Sequence, residues 1–191
     1  MWFKNIENLA TKSTTRKMEW LLWIDIETTG LDIKSSSILQ VACILTDMNA
    51  LIRYELPEYT LYCSEDALHK MNEWCTTTHT HSGLLDKCRK STITIKDVEN
   101  KIILLLNEHV ALTHKVYIAG NSVHFDKSFI KRDMSSLYAR LHHRNMDVSS
   151  LNLYQKARGG KLPNVKTFKH TALSDINESI DEYIYYLKYN Q

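Results

Sequence analysis

Proline and glycine are scarce in this 191-residue chain, at two and five residues, and three of the seven, Gly159, Gly160 and Pro163, sit close together. There is no low-complexity block and no internal repeat, which excludes collagen-like and solenoid architectures. Long apolar runs are missing as well: none approaches the roughly 20 residues that a membrane-crossing helix needs. Cysteine is confined to Cys43, Cys63, Cys75 and Cys88, with no C-x-x-C pairing, in a chain too large to need disulfides. Those four are expected as reduced, partly buried small hydrophobes of an intracellular protein. What remains, 43% hydrophobic and 24% charged residues, is the make-up of one soluble domain long enough to bury a core.

The stretch from Leu21 to Gly30 (Leu-Leu-Trp-Ile-Asp-Ile-Glu-Thr-Thr-Gly) puts charge where a core strand should have none. A strand alternates faces with period two, so Asp25 and Glu27 point one way and Ile24 and Ile26 the other. Their carboxylates then stand about 7 Å apart, twice the strand rise. That span suits side chains converging on two divalent ions about 3.5–4 Å apart. The competing reading is a strand end reaching solvent, with Thr28-Thr29-Gly30 as a plain turn.

Two later stretches bear on that choice. Val116 to Ser122 reads as a buried strand with a polar end, and the helix after it carries Asp126 with Phe129 and Ile130 at i+3 and i+4, so Asp126 should look inward. Near the C-terminus a helix opens around His170 to Asp175, with an apolar stripe of Leu173, Ile176, Ile180, Tyr183, Ile184 and Leu187 that Asp175 borders. Positions five apart on one helix lie about 140° around its axis. His170 is therefore expected before or at the helix start, leaning over a site that Asp175 enters from the helix.

Other elements follow from pattern. Ile38–Thr46 and Leu51–Leu56 read as strands joined through Asp47 to Ala50, and Tyr59–Cys63 extends the second arm. Short helical pieces are expected around Asp66–Asn72 and Ser82–Lys90. A stronger helix has the stripe Ile95, Val98, Ile102, Leu105, Leu106 and His109, with Thr94 as N-cap. A strand at 116–119, a helix at 123–134 or longer, a short strand near Asn145–Val148 and the final helix complete the chain. Strands first, then alternation with helices, predict an α/β fold with a mixed sheet flanked by helices.

Taken together, Asp25-Ile26-Glu27-Thr28-Thr29-Gly30, Gly120-Asn121-Ser122 with Asp126, and His170 followed by Asp175 resemble the three exonuclease motifs of the DEDDh branch of the DEDD nuclease superfamily. Asn72-Glu73-Trp74, Thr78 to Leu84, and His142 to Ser149 make the chain similar to the oligoribonuclease family, in order over roughly residues 19 to 188. The resemblance implies a ribonuclease H-like exonuclease fold. It also implies a 3′-to-5′ exoribonuclease that degrades very short oligoribonucleotides, dinucleotides above all, to mononucleotides. Its cofactors would be two divalent ions, Mg²⁺ or Mn²⁺, held by Asp25, Glu27, Asp126 and Asp175, whose hard oxygen donors suit those ions better than zinc. His170 would take the proton from the attacking water, delivered on a loop that holds Gly159, Gly160 and Pro163.

Substrate contacts are implied at Trp74, stacking on a base, at Leu31, wedged between two bases, and at His79 and Ser122. Arg144 and Ser149 resemble the residues that cap a 5′-phosphate from the partner subunit of a homodimer; arginine's planar fork suits a phosphate. Two positions depart from the family: His143 replaces a tyrosine, and Phe125 replaces a glutamine of bacterial members. The alternatives are a DEDDh exonuclease acting on longer RNA or DNA, and an inactive nuclease-like RNA-binding module.

Net charge is +2, but residues 111–170 hold eleven Lys/Arg against three acids, a local +8 that leaves −6 elsewhere. A polyanion binder reading one patch, or solvated loops, would both give this asymmetry. Residues 1–18 are read as an N-terminal extension before an exonuclease domain at 19–191, with Lys4, Lys12, Arg16 and Lys17 against Glu7. A cytoplasmic location is expected, a mitochondrial presequence being the alternative.

Overall fold

The computed structural model describes residues 18–163 and 171–189. Its organising element is β1 (Glu19–Thr28), flanked by β2 (Ile38–Asp47) running antiparallel and by β5 (Lys115–Gly120) running parallel. The sheet order is β3-β2-β1-β5-β6, with β3 (Arg53–Glu55) and β4 (Tyr59–Thr60) both on β2, and β6 (Asn145–Asp147) parallel to β5. Helices cover both faces, so β1 and β2 read as nearly continuous apolar runs rather than alternating ones.

The two faces build two cores. Leu22, Ile24 and Ile26 of β1 join Val41, Cys43 and Leu45 of β2 and Val98, Ile102 and Leu106 of α4 (Ile95–His109), with Phe129 and Ile130 of α5 (His124–Asp133) and Leu137 of α6 (Ser135–Arg140). On the other face Leu21 and Trp23 meet Ala42 and Ile44, and α8 (Ala172–Tyr189) lays Ile176, Ile180, Tyr183 and Tyr186 over them. The Trp23 ring lies against Tyr183, and its indole Nε1 donates to Thr46 Oγ1 at 2.9 Å, so the buried N–H is not left unpaired. All four cysteines are buried and free.

The strong helix α4 begins where expected, with Thr94 and Asp97 forming a reciprocal capping box. The helix foreseen at 123–134 or longer is α5, and it does not run on: it ends at Met134, whose backbone leaves the helical region, and α6 starts anew with its Ser136 and Leu137 N–H groups donating to buried Glu99. Expected helical pieces fall at α1 (Glu65–Leu68) and α3 (Leu84–Lys90). Two helices lack a counterpart in the sequence reading. One is α2 (Glu73–His81), capped by Asn72, whose β-branched and histidine-rich run Thr76-Thr77-Thr78-His79-Thr80-His81 has weak helix propensity and no apolar stripe. The other is α7 (Val148–Ala157), which follows β6 without a link and buries only Val148.

Among the described residues no helix is long and apolar enough to cross a membrane. Phe129, wholly buried where α5 meets the sheet, is the largest fully buried side chain of the first core. Phe129→Ala is expected to lower unfolding free energy by about 3–5 kcal/mol in urea titrations followed by circular dichroism; a loss below about 1 kcal/mol would mean that α5 is not seated on the sheet as described.

Candidate active site

Along one face of β1 the sequence runs Leu21, Trp23, Asp25, Glu27, and α8 crosses above it, so the same face turns from apolar to acidic within one strand. The β1–β2 register slips between Glu27 and Thr28, a bulge of the kind that re-aims side chains. The following turn is fixed by several bonds: Thr29 N–H to the Ser37 carbonyl at 2.9 Å, Ser37 N–H to Thr29 Oγ1 at 2.9 Å, and Thr28 Oγ1 to the Gly30 carbonyl at 2.7 Å.

The last β1–β5 pair is Trp23 with Ala119, and beyond it β1 loses its parallel partner. A backbone donor there must be satisfied some other way. Asp126, buried on α5, supplies it: its Oδ1 accepts the Ile26 N–H at 3.1 Å. Gly120 ends β5 so close to β1 that a side chain there would meet the Ile24 carbonyl oxygen at 3.2 Å.

Asp175, four residues into α8, brings its carboxylate down to the acidic end of β1. Oxygens of Asp25, Glu27 and Asp175 all lie within 4.8 Å of one another. Asp126 approaches the same acids from the α5 side but stands outside that three-oxygen group. Burial pushes the Asp25 carboxyl well above the usual carboxylate range, and Asp126, Glu27, Asp175 and Glu58 add to the rise by like charge. Glu27 is pushed up to about 7, by burial first and then by Asp175, Asp126 and Glu58. Asp126 rises to about 7 through burial, although two backbone N–H bonds favour its charged form. Half-buried carboxylates crowded this way fit a divalent cation: the donors are all hard oxygens and their mutual repulsion is what a cation relieves.

The remaining sequence-predicted residues divide by exposure. Leu31 and Trp74 are 80% and 66% exposed, unusual for large apolar side chains and available for stacking. His79 is buried instead, its Nε2–H donating to the Thr28 carbonyl at 3.0 Å, and burial lowers its pKa; the neutral ring fixes the turn after Glu27. Ser122 takes a left-handed backbone (φ 50°) that turns its N–H to Asp147 Oδ1 at 3.1 Å and Ser149 Oγ at 3.0 Å. Ser149 Oγ in turn donates to Asn121 Oδ1, Asn121 Nδ2 to Ser179 Oγ, and Ser179 Oγ to the Asp175 carbonyl, which ties β5 and α7 to α8.

Arg144 is exposed in a turn held by Lys127, whose Nζ donates to the His142 and His143 carbonyls and to Asn145 Oδ1 at 2.7–3.0 Å. Phe125 packs on Phe129 at 5.0 Å between ring centres, an apolar contact where a glutamine would bring an amide. His170 and residues 1–17 lie outside the described residues. The sequence reading does not single out Glu58, in the link between β3 and β4, because an isolated loop acid carries no periodic signal.

A family model for Exonuclease (RNase_T) matches residues 22–183. The chain is 38% identical to a probable oligoribonuclease of Schizosaccharomyces pombe, over 88% of this chain and 68% of that one. It is 36% identical to an oligoribonuclease of Corynebacterium glutamicum, over 94% and 84% of the two chains. A similar protein of Actinobacillus pleuropneumoniae, also named oligoribonuclease, is 40% identical over 87% and 91%. Among solved structures, Escherichia coli Exonuclease I in complex with a dT13 oligonucleotide shares the fold, with a TM-score of 0.63 and 18% identity over 89% of this chain. This chain spans 41% of that structure.

The raised carboxyls set a pH dependence. Carboxyls near 7 in the folded chain and near 4 in the unfolded one bind more protons when folded, so stability falls with rising pH across that window. In thermal melts, EDTA-treated protein should lose Tm from pH 5 to 7, while added Mn²⁺ should raise Tm most at the upper end. A metal-free Tm that climbs over the same interval would contradict the crowded-carboxylate site.

Proposed function

The chain belongs to the exonuclease family and, within it, to the oligoribonucleases, 3′-to-5′ exoribonucleases, and from that premise we propose that it degrades very short oligoribonucleotides, dinucleotides above all, to mononucleotides. The observation that carries the reading is the convergence of Asp25, Glu27 and Asp175 on one point at the end of β1. Asp25, Glu27, Asp175 and Asp126 are the residues that would hold two divalent ions, Mg²⁺ or Mn²⁺. Bound there, the ions supply positive charge that lowers the pKa of a water and offsets charge developing on the phosphodiester.

The side chains do the rest. Burial shifts Asp25, Glu27 and Asp126 toward the protonated form, and bound cations would favour their charged form. His170, at the position of the general base in the family, accepts a proton from the attacking water. Trp74 and Leu31 offer exposed apolar surface on which bases can stack, worth roughly 1–3 kcal/mol per base and indifferent to sequence. His79 acts from beneath, holding the turn that presents Leu31. Ser122, Ser149 and Arg144 would meet phosphate and sugar, with Arg144 capping the 5′-phosphate across a homodimer. Such a cap fixes the span between the 5′ end and the scissile bond, which favours two-nucleotide substrates. A cytoplasmic location, with residues 1–18 as an extension of the domain, completes the proposal.

The test uses pure protein, 5′-labelled RNAs from dinucleotides to about twenty-mers, and Mg²⁺, Mn²⁺ or EDTA. EDTA should stop cleavage, and phosphorylated dinucleotides should be cut faster than seven-mers. Asp25→Ala, Glu27→Ala, Asp126→Ala and Asp175→Ala should each abolish turnover. Asp133→Ala should not: it is paired with Arg132 at 2.6 Å and lies two helical turns from Asp126, about 10 Å away. His170→Ala should slow the single-turnover rate by about 10²–10⁴-fold with substrate binding retained. Arg144→Ala should flatten the length preference without ending hydrolysis. Equal rates on two-mers and seven-mers by the unaltered protein would leave a general exonuclease, and equal loss at Asp133 would refute the ligand assignment.

A further inference from the structure

The first turn of α8 is held from outside the helix. An α-helix leaves its first four N–H groups without intrahelical partners. Here the Ala172 N–H donates to Gln40 Oε1 at 3.4 Å, the Leu173 N–H to Glu58 Oε2 at 3.2 Å and the Ser174 N–H to Thr171 Oγ1 at 3.4 Å, while the Asp175 N–H already reaches the Thr171 carbonyl at 3.0 Å. Two of these acceptors come from far away in sequence and are bonded to each other, Gln40 Nε2 donating to Glu58 Oε1 at 2.9 Å and also to Thr60 Oγ1 at 3.3 Å.

The position of this pair matters more than its number of bonds. Gln40 is the direct cross-strand partner of Glu27, one pair before the bulge, and so shares the face on which Asp25 and Glu27 stand. It is also paired with Thr60 of β4, which ends the link that carries Glu58. A single amide at 3% exposure thus joins β2, the neighbour of the strand bearing two of the acids, to the helix bearing the third. From these contacts we propose that Gln40 and Glu58 form a clamp that positions Asp175, fixing the axial and rotational setting of α8 so that the Asp175 carboxylate meets Asp25 and Glu27. Glu58 is a positioning residue: its two oxygens are committed to Gln40 and to the helix backbone.

The inference rests on the reading of the acids as a divalent-cation site. Mn²⁺ affinity is measured by isothermal titration calorimetry on the full chain, with Tm followed in parallel, for Glu58→Ala, Glu58→Gln, Gln40→Ala and, as a distant control of the same kind, Glu99→Gln. Glu99 also accepts two helix N–H groups, those of Ser136 and Leu137, but belongs to α4 and α6 on the other face of the sheet. Loss of an outer partner of a metal ligand weakens the metal by about 10–100-fold, and that loss is expected for Glu58→Ala and Gln40→Ala. Glu58→Gln keeps an acceptor for the Leu173 N–H but sets an amide NH2 against the Gln40 amide, so its affinity should fall between those of the unaltered and Glu58→Ala proteins; Glu99→Gln should lower Tm alone. Unchanged Mn²⁺ affinity in the folded Glu58→Ala or Gln40→Ala proteins would overturn the clamp. If the unaltered protein takes up no Mn²⁺, the cation site itself fails, which is a separate result.

Discussion

Repulsion among carboxylates is the constraint on which the rest of this structure depends. Two unit charges under 5 Å apart at a protein's effective dielectric repel by about 3 kcal/mol, and Asp25, Glu27 and Asp175 form three such pairs. A sheet end left to itself would splay these side chains into water. It cannot do so here, because the elements that carry the acids are anchored by apolar neighbours: Trp23 on β1 with Asp25 and Glu27, Phe129 and Ile130 on α5 with Asp126, and Ile176 on α8 with Asp175. The two cores thus hold a charge arrangement that is unfavourable in the absence of cations. Stability is given up locally, at the point where the chemistry needs charge.

The sheet topology explains why the site lies where it does. β5 runs parallel to β1 but stops short of it, leaving open one edge at Ile26 into which α5 inserts Asp126. β2 continues on the other side as far as the bulge, and its Gln40 reaches up to α8. Networks from both flanks then meet on α8, the Ser149–Asn121–Ser179 chain from the β5 side and Gln40–Glu58 from the β2 side. Asp175 is held between them.

Much of this was legible in the residues. Period-two alternation puts Asp25 and Glu27 together because strand geometry leaves no other choice, and the i+3 and i+4 apolar neighbours of Asp126 and the stripe of α8 turn those acids inward for equally local reasons. The helices α2 and α7 were not legible: one is built from poor helix formers and the other buries a single residue, so neither shows a period. His79 illustrates a different limit. Its sequence context matches a substrate contact, yet whether its ring faces a ligand or the Thr28 carbonyl depends on where α2 packs, which is a long-range property. Gln40 and Glu58 were missed for the same reason, since their meaning arises only where β2, the β3–β4 link and α8 come together.

The central claim, that the acids at the end of β1 are assembled for divalent cations, is tested most directly by diffraction from crystals grown with Mn²⁺, recorded at the manganese absorption edge. The account predicts anomalous density within bonding distance, about 2.0–2.2 Å, of carboxylate oxygens of Asp25, Glu27 and Asp175, with Asp126 at its border. Density confined to other parts of the surface, with these three carboxylates unliganded at saturating Mn²⁺, would contradict it.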